Sequence, residues 1–197
     1  EEGKEFLQCT PQHWGLGDVK PILYNLKQVI DSEYVIICEG EKDADMLIEH
    51  GLVATTACGG VKKWDNSFNK YFKDKDIAIL PDNDDVGEEH AFLIATLLFN
   101  YARKIKIVKT SNKPKGDVSD YIEEGHKIED VTNLISSTVP LQKTDLLDVS
   151  DIARVKAKEA NGTDFLNYTL ETHIVNDAEV IKKKPRHIKH LIKDIHA

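Results

Sequence analysis

Short apolar runs and stretches of helical period alternate along the chain. Runs of the first kind lie at residues 34–38, 53–57, 77–80 and 104–108, each of strand length and too short for an amphipathic helix. Between the first two, Ala44, Leu47, Ile48 and Gly51 recur at helical spacing, with Glu41 and Asp43 in the first turn, where the helix dipole favours acids. Residues 86–103 are apolar over much of a helical circumference (Ala91, Phe92, Leu93, Ile94, Ala95, Leu97, Leu98), which predicts a helix packed deeply against a sheet. A lead-in over 18–30 places Leu23, Leu26 and Ile30 at helical spacing, with Pro21 suited to a first turn. Strands alternating with helices predict an α/β fold: a small, mostly parallel sheet flanked by helices.

The pattern changes after Ser136, Ser137, Thr138, Val139 and Pro140. The expected organisation is therefore a lead-in with a docking helix over 1–32, a domain over 33–138, and a linker with a short helical C-terminal extension over 139–197. Within that extension, residues 148–160 read as a helix stopped by Asn161 and Gly162. Residues 164–181 fit neither period, and 182–193 are locally basic, opening on Lys182, Lys183, Lys184, Pro185 and Arg186.

A chain of 197 residues with a hydrophobic share of 41% has material for one ordinary core and an appendage. Its net charge of -8 argues against gripping nucleic acid by bulk electrostatics. Polyanionic substrates stay open, because a bound cation reverses the local potential at an acidic cluster. Cys9, Cys38 and Cys58 are an odd set without CxxC spacing, which predicts reduced thiols in a cytoplasm rather than a disulfide framework or zinc ribbon. No apolar run reaches membrane-spanning length, and the opening Glu1, Glu2, Gly3, Lys4, Glu5 reads as a fragment's start rather than a signal peptide.

The chemistry concentrates where two strands end. Val35, Ile36, Ile37 and Cys38 run into Glu39, Gly40 and Glu41; Ile77, Ala78, Ile79 and Leu80 run through Pro81 into Asp82, Asn83, Asp84 and Asp85. Ligands bind beyond the carboxyl ends of strands in open parallel sheets, and neighbouring strands lie about 5 Å apart. Glu39, Asp82 and Asp84 should therefore meet. Carboxylates that close repel unless a cation compensates them, and oxygen donors suit Mg2+ or Mn2+. Each segment alone also reads as a helix cap. An EF-hand is excluded, because Val86 and Leu93 fall where that loop needs oxygen ligands.

Gly59 and Gly60 follow the second strand and would let backbone amides approach a phosphate, with Lys62 and Lys63 adding charge; the plain alternative is a tight turn with solvated lysines. Lys42, beside the acids, reads as a phosphate contact or as a surface ion pair. Trp64 reads as a loop anchor before a base-stacking platform. His187 and His190 have no further ligand arranged with them, no nucleophile elbow occurs, and the absence of a Walker A sequence puts any helicase motor outside this chain.

The strings Leu23-Tyr24-Asn25-Leu26, Gly59-Gly60-Val61-Lys62-Lys63-Trp64, Pro81-Asp82-Asn83-Asp84-Asp85-Val86-Gly87 and Gly116-Asp117-Val118-Ser119-Asp120-Tyr121-Ile122, together with Glu39-Gly40, resemble the topoisomerase-primase (Toprim) domain in its DNA primase form, as found in phage, plasmid and mobile-element replication proteins. The resemblance covers roughly residues 18–137. It implies the Toprim fold and metal-dependent nucleotidyl transfer for primer synthesis. The implied partners are a single-stranded DNA template, nucleoside triphosphates and a helicase module, in a bacterial host cytoplasm. It further implies that Glu39 does acid-base work or completes a metal shell, that Asp82 and Asp84 hold Mg2+ or Mn2+, and that Asp117 and Asp120 form a third acidic cluster. Asp117 becomes a ligand in that scheme, and Asp85 and Asp120 stand behind the ligands. The bland role for Asp117 is a helix cap. The chain departs from bacterial-type primases in carrying no zinc-binding module or basic subdomain ahead of this region. The rival readings are a Toprim nuclease using the same carboxylates and a non-catalytic nucleotide- or nucleic-acid-binding module of a replication complex. A topoisomerase would need a nucleophilic tyrosine in a separate domain.

Overall fold

Four strands carry the alternating apolar positions into a sheet in the computed structural model, which describes residues 9–10, 13–14, 21–57, 60, 63–148 and 151–152. After a short antiparallel pair, β1 (Cys9–Thr10) and β2 (His13–Trp14), come helix α1 (Leu26–Asp31), β3 (Tyr34–Cys38), α2 (Glu41–Glu49), β4 (Ala54–Thr55), a 3-10 helix (Asn66–Phe72), β5 (Asp76–Leu80), α3 (Asp85–Leu98), β6 (Lys104–Ile107), α4 (Val118–Glu123), α5 (Ile128–Ser137) and a 3-10 turn (Lys143–Asp145). The main sheet has the order β4-β3-β5-β6 and all its pairs are parallel. The α/β architecture expected from the sequence is thus present, with helices on both faces.

Period-two alternation divides the sheet's side chains between two cores. Val35, Ile37, Ile77, Ile79 and Ile105 face α1, the 3-10 helix and α3, meeting Val29, Phe68, Phe72, Ile94 and Leu98. Ile36, Cys38, Ala78 and Leu80 face the other way, toward Ala44, Leu47, Val118, Val131 and Ile135. Trp64 is buried, donates its indole N–H to Asn69 Oδ1 at 3.0 Å and packs edge-on against Phe68, so it anchors the loop ahead of the 3-10 helix. Leu147 is also buried, against Phe92 and Leu93 of α3. Its N–H donates to Thr96 Oγ1, and Leu141 N–H donates to the Ile105 carbonyl, so residues 141–147 lie across α3 and β6.

The lead-in differs from its sequence pattern. Leu23 is not helical: it forms an antiparallel bridge with Ala57, and α1 starts only after Asn25, whose φ of 53° is left-handed. Asn25 donates to the Ala54 carbonyl, which holds that conformation in place. Ile30, expected to face inward, is exposed. The helix expected over 86–103 ends at Leu98, and the second strand is limited to Ala54–Thr55 plus the Ala57 bridge. Of the helix expected over 148–160, Asp148, Asp151 and Ile152 are described, and only the last two are helical; residues 149–150 and 153–197 lie outside the described residues.

Candidate functional site

The register of the central strand pair decides what meets what. Cys38 is level with Leu80, so the chain leaves β3 into Glu39 beside the point where β5 leaves into Pro81 and Asp82. Helix α3 closes over both. A Cβ on Gly87 would lie 2.6 Å from the Asp82 carbonyl oxygen and 3.0 Å from Glu39 Oε2. Only glycine lets the first turn of α3 approach this closely, and the Glu39 carboxylate is lodged against that turn. A small pocket here is lined by Cys38, Glu39, Pro81, Gly87 and His90. Burial pushes the Cys38 thiol well above its usual range, so it is an inert wall rather than a nucleophile.

On the other flank of Glu39, Thr56 Oγ1 donates to its carbonyl at 3.1 Å, and a Cβ on Gly60 would lie 3.5 Å from the same oxygen. Gly60 has φ +94° and its carbonyl accepts from Lys63 N–H, so the loop turns tightly over the end of β3. Lys63 is exposed, while Gly59 and Lys62 lie outside the described residues.

The third acidic segment arrives through Asn83. Its N–H donates to the Gly116 carbonyl, its carbonyl accepts from Lys115 N–H, and its Nδ2 donates to the Lys113 carbonyl at 2.8 Å. These bonds fasten the turn preceding Asp117 to the turn between Asp82 and Asp84. Asp117 caps α4 by accepting from Asp120 N–H, and Asp120 returns the bond to Asp117 N–H, a capping box. The free ends of both acids are paired with lysines: Asp117 with Lys42 at 3.5 Å and Asp120 with Lys113 at 2.8 Å. The hydrogen bond from Lys113 holds the Asp120 carboxyl below its ordinary value. Asp84 caps α3, its Oδ1 accepting from Val86 and Gly87 N–H, and exposed Asp85 is the first helical residue.

One acid at the site was read from the sequence only as a partner of the helix dipole. Asp43, in the first turn of α2, is buried and accepts from the backbone and hydroxyl of Ser119 in α4, the latter at 2.6 Å. Burial raises its carboxyl, with the Ser119 hydroxyl working against that rise. Its position immediately before Ala44 on the inward stripe of α2 was the available signal.

The electrostatic sum falls on Asp82. Half-buried, its carboxyl is pushed up to about 7, first by loss of solvent and then by the carboxylates of Glu39, Asp43, Asp117 and Asp84. Lys42 is the cation set against this group. Burial alone pulls its ammonium down, but Asp117 and Asp43 outweigh that and hold it raised. The donors are all hard oxygens, which fit Mg2+ or Mn2+ in kind. Among the described residues, however, no group of three or more acidic, histidine or cysteine side chains is closed into a ready-made metal shell. The carboxylates are gathered without being converged on one point, and two of them spend an oxygen on a helix cap.

Fold and site together define a parallel α/β domain with an under-neutralised carboxylate cluster at the carboxyl ends of its central strands. No family model matches the chain, and no curated protein matches it. Among solved structures it is similar to the Aquifex aeolicus primase (zinc-binding and RNA polymerase domains), with 19% identity and a TM-score of 0.49, over 88% of this chain and 40% of that one. The chain thus spans well under half the length of that primase chain. No helix among the described residues is long and apolar enough to cross a membrane.

Proposed function

We propose that this chain is the Toprim part of a DNA primase or primase-helicase, of the kind found in phages, plasmids and mobile elements, and that it carries out metal-dependent nucleotidyl transfer on a single-stranded DNA template. The observation that carries the reading is the gathering of Glu39, Asp82 and Asp117, from three motifs far apart in sequence, where burial first and the neighbouring carboxylates second lift the Asp82 carboxyl to about 7. Burying repelling acids costs stability, and a site that keeps them is built for a cation.

In this reading Glu39, Asp82, Asp84 and Asp117 hold Mg2+ or Mn2+, which when bound would stabilise negative charge on the phosphoryl oxygens of the substrate. The reaction joins a 3′-hydroxyl oxygen to the α-phosphorus of a nucleoside triphosphate and expels pyrophosphate. Glu39 would either accept the proton of the attacking hydroxyl or complete the metal shell. Lys42, Gly60 and Lys63, with Gly59 and Lys62, flank the phosphate path; Asp85 and Asp120 support the ligands from behind. The template, nucleoside triphosphates and a helicase module are the partners this role requires, in a bacterial host cytoplasm.

The test is a denaturing gel of end-labelled single-stranded DNA incubated with the chain, Mg2+ or Mn2+ and labelled nucleotides, beside Glu39→Gln. Short new products that vanish in the variant are expected. Shortening of the DNA instead would replace primer synthesis with phosphodiester cleavage by the same carboxylates. If neither is seen, the non-catalytic binding module is the better account of this chain.

A further inference from the structure

The turn hung on Asn83 carries a residue that its own geometry disfavours. Gly116 N–H closes on the Lys113 carbonyl at 2.9 Å, so Lys113, Pro114, Lys115 and Gly116 form a hydrogen-bonded turn with proline at its second position. Its third position is Lys115, with φ 60°. That is the left-handed region, where glycine or asparagine is cheap and lysine is strained. Gly116 cannot be enlarged either, since a Cβ there would meet Ser111 Oγ at 2.3 Å. Strain that persists in a surface turn points toward a function for the side chain that bears it.

Where the turn sits gives that function. Lys115 N–H donates to the carbonyl of Asn83, the residue between Asp82 and Asp84, at 3.0 Å. Three other lysines around the carboxylates are committed: Lys42 to Asp117, Lys113 to Asp120 and Lys109 to Glu88. Lys115 is exposed, and its ammonium makes no ion pair or hydrogen bond among the described residues. The turn thus fixes the backbone of an exposed lysine beside the turn that carries Asp82 and Asp84.

We propose that Lys115 is a phosphate-binding residue of this site, engaging the polyphosphate of an incoming nucleotide or the phosphodiester backbone of the template as either approaches the carboxylates. This inference rests on the metal-site reading above. Asn83 couples the two: its hydrogen bonds to Gly116, Lys115 and Lys113 join the Asp82–Asp84 turn and the lysine turn in one hydrogen-bonded unit.

The test uses the full chain and three variants, Lys115→Gly, Lys115→Ala and Lys115→Arg. Lys115→Gly removes the charge and relieves the left-handed strain together, so it folds at least as well as the parent, and its melting temperature verifies that. Mn2+ binding is followed by electron paramagnetic resonance, and binding of tripolyphosphate and of a single-stranded oligodeoxynucleotide is followed by titration, with and without Mn2+. Losing one charge-assisted contact should weaken one phosphate probe roughly ten-fold in Lys115→Gly and Lys115→Ala, with Lys115→Arg restoring most of it and Mn2+ binding unchanged. Weakened tripolyphosphate identifies the nucleotide as the source; weakened oligonucleotide identifies the template. Unchanged affinity for both probes in Lys115→Gly overturns the proposal. A parent chain that binds no Mn2+ overturns the metal reading instead, and the metal-free titrations then decide the case of Lys115 separately.

Discussion

The two ends of strand β5 carry the same residue type and treat it oppositely. At its start Asp76 receives Arg103 Nε at 2.8 Å, the same guanidinium reaches Glu33 at 3.5 Å, and Lys75 donates to the Ile30 and Ser32 carbonyls that α1 leaves open. Each charge there has an opposite charge or an open carbonyl within reach. At the other end Asp82 faces Glu39, Asp43, Asp84 and Asp117, and its carboxyl is pushed up to about 7. A chain able to neutralise acids at one edge of its sheet leaves them crowded at the other. The difference separates charge placed for stability from charge held against stability.

The strongest way to break the comparison is Asp82→Asn. It should reduce any metal-dependent activity by roughly 10²–10³-fold or more while stabilising the metal-free protein. The sign follows from linkage. A carboxyl raised from 3.8 to about 7 in the folded state binds more protons there than in the unfolded chain, so metal-free stability falls as pH rises across that interval. Asp82→Asn removes this fall, worth about 1–2 kcal/mol at pH 8 once the shift is discounted for a half-exposed group. Thermal melts at pH 5 and 8, with and without Mn2+, check both parts. The parent should gain more from Mn2+ at pH 8 than at pH 5, and Asp82→Asn should gain little at either.

Next in size is Gly87→Ala, which keeps every charge and disturbs only their seating. Its added methyl meets the Asp82 backbone and Glu39 Oε2, and moving α3 aside should cost about 1–3 kcal/mol in denaturant melts. Metal affinity should fall with it, because the glutamate and aspartate no longer hold their relative positions. Unchanged Mn2+ affinity would show that the close approach of α3 does not set the site. The smallest effect belongs to the opposite end: Arg103→Met removes an exposed guanidinium from Asp76 and Glu33, and water screens that pair so well that the melting curve should barely move. Activity should be unaffected, and a loss there would mean that the two ends are coupled.

The central strands were legible because runs buried on both faces leave a continuous apolar signature, as Val35 to Cys38 and Ile77 to Leu80 do. The acids that follow them were legible for the same reason, since strand ends fix where Glu39 and Asp82 emerge. The lead-in was not: Leu23, Leu26 and Ile30 match a helical period, yet three positions carry little information, and the hydrogen bonds of Tyr24 and Asn25 to residues in and beside β4 override them. Asp43 was read as a partner of the helix dipole: its place beside Ala44 signals burial, but nothing local names Ser119, far along the chain, as its partner. Asn83 carried no role of its own in the sequence. Its partners are backbone atoms of a distant turn, and bonds to backbone impose no residue type that a sequence could display. Among the described residues the carboxylates approach one another without forming a closed shell, so no ligand spacing in the sequence could announce one.

The strand order β4-β3-β5-β6 also governs how the site is assembled in time. Its central pair joins residues 34–38 to 76–80, a long loop to close before any pairing energy is returned. Glu39 and Asp43 belong to the segment before that closure; Asp82, Asp84 and Asp117 belong to the segment after it. A chain severed between β4 and β5 would divide the acids between two pieces, Glu39 and Asp43 in one and Asp82, Asp84 and Asp117 in the other. With the proposed metal site, full affinity for the ion would return only when the pieces found each other, making the ion a reporter of the moment the sheet's centre forms.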